Sequence, residues 1–166
     1  LALCAFFFFA VFLPGKKLTA SLRQLESVAN GVAAQVKNQD LPGTKSQLEQ
    51  VKTQLDKVKT DFSAFSWTGF IPFVNNYYRD GKRVFLAADE LLVAGNLTID
   101  AVAPYADVIG LKALAGTGDG AKTAEARINF IINTLDKIKP QLSQIGTHID
   151  TARKEIDQVN PNRYPQ

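Results

Sequence analysis

Methionine is absent from these 166 residues, and cysteine and histidine each occur once. Each scarcity removes a class of chemistry. A single thiol, Cys4, forms no disulfide within the chain and builds no cysteine-based metal site. A single imidazole, His148, leaves no cluster of histidines for a metal. Net charge is small as well, +3 at pH 7, with acids and bases mixed along the whole length. That mixing marks solvated helix faces and excludes the basic patch that nucleic acid requires. Prolines number 7, and most of the 11 glycines gather at a few points, which leaves long stretches open to helix.

What the chain has, at its start, is an unbroken apolar run, Leu1 to Leu13 (LALCAFFFFAVFL), followed by Pro14-Gly15-Lys16-Lys17. A spanning helix needs about 20 apolar residues, and thirteen cover only ~20 Å of a ~30 Å hydrocarbon core. With no initiator Met, the run is expected to be the trailing end of a transmembrane helix that begins before Leu1, in a chain cut from a longer protein. Alternatives are the apolar core of a secretory signal peptide and a buried core helix, the second disfavoured by four consecutive phenylalanines.

Beyond the run, apolar residues recur at alternating intervals of three and four. Leu18, Leu22, Leu25, Ala29, Val32 and Val36 form one helical stripe, and Leu48, Val51, Leu55, Val58, Phe62 and Phe65 a second. Between them Gln39-Asp40-Leu41-Pro42-Gly43 reads as a turn, and Thr44-Lys45-Ser46-Gln47 matches a capping box. The pair is predicted to be an antiparallel hairpin returning ~35 Å to the level at which it started. The loop that follows, Ser66 to Phe73, would then lie near the membrane. Its Trp67, Phe70, Ile71 and Phe73, with Tyr77 and Tyr78, are candidates for interfacial contacts with lipid. The commoner use of such residues, and the one favoured here, is a hydrophobic corner sealing the end of a bundle.

A third helix, starting near Asn75 or after Asp80-Gly81, has the stripe Phe85, Ala88, Leu92, Gly95, Ile99, Val102, Ala106 and Ile109. Its small members permit close approach, and Pro104 is predicted to kink it. Gly110 to Gly120 is a loop. A fourth helix keeps its register from Ile128 through Ile131, Leu135, Ile138, Leu142, Ile145, Ile149, Ala152 and Ile156 to Val159, unbroken across Pro140. At ~48 Å it calls for a partner along its stripe. Asn160 to Pro165 reads as a linker to a further, missing C-terminal domain.

Several islands, in order, are similar to the N-terminal helical region of the bacterial family called domain of unknown function 4012. They are the anchor with a helical hairpin, Asp40-Leu41 at its turn, Ile71-Pro72-Phe73-Val74, Tyr78 with Asp80, Pro104-Tyr105-Ala106-Asp107 with Gly110, Ile138-Lys139-Pro140, and Arg163-Tyr164-Pro165. Asn75 departs from the pattern, which often has glycine there. The resemblance implies a membrane-anchored envelope protein and supplies no chemistry.

The chain offers little to a catalytic reading. Gly116-Thr117-Gly118-Asp119-Gly120-Ala121-Lys122-Thr123 imitates a phosphate-binding loop, but Ala121 replaces the glycine before the lysine and no strand precedes it. His148 falls beside its helix's stripe, a position typical of the surface, with Asp150 and Glu155 nearby. Asp89 and Glu90 are adjacent, so they point different ways and read as solvated. Asn96-Leu97-Thr98 lies within a predicted helix and is set aside as a glycosylation signal.

The expected architecture is therefore all-α, an antiparallel bundle of about four long helices with coiled-coil-like packing, preceded by the end of a transmembrane helix. Residues 1–14 are the anchor in the lipid bilayer, 15–66 the hairpin, 67–74 the aromatic connection, 75–159 the kinked pair, and 160–166 the linker. No catalytic, cofactor-binding or metal-binding residue is assigned. The expected role is a non-catalytic extracytoplasmic stalk or interaction module, single-pass in the bacterial cytoplasmic membrane, with an envelope protein or a second copy as possible partner. Lys16-Lys17 alone would favour the cytoplasmic side. The alternative role is a ligand-sensing bundle, with a groove opened by the prolines near Pro104, Tyr105 and Asp107.

Overall fold

The computed structural model describes residue 6, residues 8–106 and residues 124–164. All regular structure within them is helical. A π-helical turn, Phe8–Phe12, runs directly into α1 (Leu13–Lys37), and α2 (Leu41–Ser63), α3 (Val74–Val102) and α4 (Ala124–Asp157) follow. No helix among the described residues is long and apolar enough to cross a membrane. The anticipated transmembrane helix is thus not among the described elements. The apolar run is short, and its helix continues past Pro14 into the charged sequence of α1.

The α1–α2 turn is tighter than predicted. Asp40 caps α2, its carboxylate accepting from the Gly43 amide at 3.0 Å, and the helix begins at Leu41, three residues before the expected capping box. Pro42 fits inside the first turn, where its missing N–H would have no helical partner. Gln39, at φ 57°, makes the reversal. Thr44 joins the cap by donating to the Asp40 carbonyl at 2.6 Å.

Packing follows chain order, α1 on α2, α2 on α3 and α3 on α4, each pair antiparallel. The core cluster comprises Leu48 and Leu55 of α2 with Leu92 and Ile99 of α3, flanked by Leu25, Val32, Val51, Phe85 and Ala88. These are the residues the three-four spacing selects for α1, α2 and α3. Among the described residues α1 and α4 make no comparable contact, so the array is open between its outer helices.

Helix α3 is the shared wall. One flank meets α2 through the core cluster. The other carries Asp80, Ala87, Ala94 and Ala101, seven residues apart and all buried, on the side facing α4. Asp89 and Glu90 divide between these flanks, Asp89 pairing with Lys59 of α2 at 2.5 Å and Glu90 with His148 of α4 at 2.5 Å. Neither acid is simply solvated, and His148 is half-buried in the α3–α4 interface. Burial disfavours the Lys59 charge, but its hydrogen bonds to Asp89 and Asp56 outweigh this and raise its pKa.

Two expectations for the helix pair change. Pro104 does not kink a continuing helix. α3 ends at Val102 and the chain passes into a 3-10 turn, Ala103–Tyr105, since proline has no N–H to extend the ladder. α4 does run unbroken through Pro140. Its apolar stripe, however, is only half covered. Ala152 is buried and Ile145 half-buried, whereas Leu142, Ile149 and Ile156 remain exposed. The row of small residues on α3 and the Glu90–His148 pair set a rotation of α4 that turns this second row away from the interface.

Candidate functional site

Antiparallel order brings the start of α1, the end of α2, the start of α3 and the end of α4 to one end of the array. This end contains most of the residues singled out for interfacial contacts. Trp67 lies in a 3-10 turn, Ser66–Phe70, and its ring meets Phe6 edge-on with centroids 5.8 Å apart. The aromatic connection therefore touches the apolar run in space, 61 positions away in sequence.

These aromatics do not form one sealed corner; they divide into two groups. Tyr78 stacks on Phe62 at 4.9 Å with rings 7° from parallel, and Phe85 closes the other side of Phe62 edge-on. Trp67 is half-buried with them. Phe70 and Phe73, by contrast, are 91% and 86% exposed, with Ile71 and Tyr77 also exposed. Phe70, Ile71 and Phe73, carried by the loop, do not seal a corner, whereas Tyr77 stands on the first turn of α3 with its ring edge-on to Tyr164.

Phe73 is held outward by a strained backbone. Its φ of 70° and ψ of −43°, with the Val74 amide donating to the Pro72 carbonyl at 2.9 Å, define a γ-turn of the rare positive-φ form. A bulky residue in that region is destabilising and persists where the surroundings impose it. The positive φ therefore falls at Phe73, immediately before α3 begins, and not at Asn75 within it.

Behind this rim is a polar cluster that local sequence patterns do not reveal. Asp80 is 0% exposed. Its Oδ2 accepts from Arg163 Nη1 at 2.8 Å and from the Tyr164 hydroxyl at 3.2 Å, while Oδ1 is buried without a partner. Tyr77 donates to the Arg163 carbonyl at 3.2 Å and meets the Tyr164 ring edge-on at 5.6 Å. Arg83 donates to the Gln158 carbonyl at 2.8 Å, and Asn160 caps the 3-10 turn Pro161–Arg163. Burial, together with the facing Asp80 carboxylate, raises the Tyr164 phenol above its ordinary pKa.

Chemically this cluster is a latch. The buried carboxylate holds a cation and a phenol, and together these fasten the turn Pro161–Arg163 and Tyr164 to α3. A signal for Asp80 did exist in the sequence: it occupies an acidic place in an otherwise alanine row with spacing seven.

Of the expected groove, Pro104 and Tyr105 lie in the 3-10 turn after α3, and Asp107 falls outside the described residues, as does the phosphate-loop imitation. Among the described residues no three His, Cys, Asp or Glu side chains gather to hold a metal. No family model, curated protein or solved structure matches the chain.

Proposed function

We propose that this chain is a non-catalytic helical interaction module held at a membrane surface, of the bacterial envelope kind that its resemblance to the domain of unknown function 4012 family implies, with α1–α4 on the extracytoplasmic side. The observation that carries this reading is the exposure of Phe70, Ile71, Phe73 and Tyr77 at the end of the array where Phe6 to Phe12 enter. Aromatic side chains gathered beside an apolar run suit the bilayer interface, where an amphipathic ring has one face in hydrocarbon and its edge among headgroups. Charges between the helices support a structural use, since Lys59, Asp89, Glu90, His148, Asp80 and Arg163 are all engaged in interhelical pairs.

Fusing the full chain to alkaline phosphatase and, separately, to a fluorescent protein that matures only in the cytoplasm tests the placement. Phosphatase activity in the membrane fraction is the expected result. Fluorescence would reverse the orientation in favour of the Lys16-Lys17 signal, and recovery of either fusion in the soluble fraction would remove the membrane reading altogether.

A further inference from the structure

The aromatic end also carries positive charge that the helices do not consume. Lys16 and Lys17 open α1, Arg79 and Lys82 lie in the first turns of α3, and all four are exposed. Among the described residues none of them pairs with a carboxylate; Arg79 bonds only to the Asn76 side chain at 2.9 Å. Lys45 and Lys59, farther from this end, are both tied to acids of α3. Of the acids toward this end, Asp61 accepts from Ser21, Asp80 from Arg163 and Tyr164, and Asp157 pairs with Arg153 of its own helix at 3.7 Å.

The cations stand one to two turns behind the rings. Lys16 Nζ is 5.3 Å from the Phe12 ring centroid, and Lys17 borders a shallow recess of about 310 Å³ shared with Phe9, Leu13 and Asp61, the last already accepting from Ser21. Along a helix axis, residues 16 and 17 lie within ~6 Å of Leu13, and residues 79 and 82 lie ~8–12 Å beyond Val74. A bilayer presents the same sequence of layers, with hydrocarbon, then the glycerol region, then phosphate. Rings reaching the first two layers put these ammonium and guanidinium groups level with the third, as interfacial aromatics and snorkelling basic residues do.

We infer that the aromatic end is a docking surface for anionic phospholipid, with Phe70 and Phe73 entering the acyl-headgroup boundary and Lys16, Lys17, Arg79 and Lys82 binding headgroup phosphates. This rests on the membrane reading above and adds the lipid class. The occupant follows from charge complementarity and from continuity with the apolar run, which meets Trp67 through Phe6 at this same end.

Trp67 is the only tryptophan and stands half-buried beside the exposed rings, so its fluorescence reports on this end of the array. The full chain is added to vesicles of phosphatidylcholine, or of phosphatidylcholine mixed with phosphatidylglycerol, each containing a brominated lipid as quencher. Quenching should be stronger with phosphatidylglycerol and should weaken as salt shortens the screening length. Replacing Lys16, Lys17, Arg79 and Lys82 by Gln should weaken the phosphatidylglycerol-dependent affinity by about fivefold per charge removed. Lys82→Gln alone provides the same test if the combined variant loses helix by circular dichroism. Equal, salt-insensitive quenching in both vesicles would overturn the anionic preference and leave membrane docking intact. Protein that sediments with both vesicles while Trp67 is unquenched in either would move the contact away from the aromatic end and overturn the inference, and protein that sediments with neither would overturn the membrane reading as well.

Discussion

Asp80 is the residue on which the end of the array depends. Removing Arg163 leaves a fully buried carboxylate without its cation, and breaking such a pair from one side is far more damaging than replacing both partners. Arg163→Ala is expected to lower stability by about 3 kcal/mol in denaturant titration, the lower end of the usual range because the guanidinium is partly solvated. Asp80→Asn combined with Arg163→Ala should lose less than the sum of the single changes. Simple additivity would mean that the two side chains are not coupled. The Tyr164 phenol gives an independent readout. Its folded pKa is raised, first by burial and then by Asp80, so its contribution to stability is complete below about pH 10 and is lost as pH rises through the higher folded value. Tyrosinate absorbance should therefore contain a late-titrating component that Tyr164→Phe abolishes, and identical titration curves for the two proteins would contradict the latch geometry.

At the level of helices, one point where α2 and α3 meet leaves no room for a side chain. A Cβ added at Gly81 would lie 2.6 Å from the Phe62 ring, which is stacked on Tyr78 and edge-on to Phe85 and would have to give up these contacts to yield. Helix propensity favours alanine over glycine by about 1 kcal/mol, but overpacking against a held ring is expected to reverse this, leaving Gly81→Ala less stable by about 1–2 kcal/mol. Gly95→Ala serves as the comparison. There the added methyl meets only the Leu48 side chain at 3.3 Å, and the change should fall within about 0.5 kcal/mol of neutral. Thermal melts of the two variants decide the point, and equal losses would rule out Phe62 as the cause. Periodicity alone identified the core of this interface, because Leu48, Leu55, Leu92 and Ile99 each repeat within one helix. It did not identify Gly81, whose constraint comes from a ring on another helix, or the Asp80–Arg163 pair, whose partners are 83 positions apart. The α4 stripe shows the opposite case. Its spacing is regular and calls for a partner along the row, yet against the small residues of α3 and Glu90 only part of it is covered, and Leu142, Ile149 and Ile156 face outward. The aromatic end was legible in composition but not in exposure, since the 3-10 turn Ser66–Phe70 and the γ-turn at Phe73, neither marked by a local pattern, set which loop rings project.

For the molecule as a whole, the direction of the chain matters more than any single contact. Phe6 lies beside Trp67, and Arg163 and Tyr164 lie beside Tyr77 and Asp80, so the described chain leaves the array at the end where it enters. A spacer would separate entry from exit by the length of its helices, whereas this arrangement brings them together and projects the α1–α2 turn away. The interaction half of the proposed function is therefore better supported than the stalk half. Spin labels can test the arrangement after Cys4 is replaced by serine, using cysteines introduced at exposed Lys17, Lys37 and Asn160 in pairs. Lys17 and Lys37 are ~30 Å apart along α1, and Asn160 should lie level with the former, making the 17–160 distance shorter than the 37–160 distance by ~10 Å or more. Equal distances, or the reverse order, would mean that α4 does not return to the aromatic end in solution. The expected order would place the residues that follow Asp157 at the level of the aromatic rim, where the Asp80 latch and the proposed lipid contact act on the same few turns of α3.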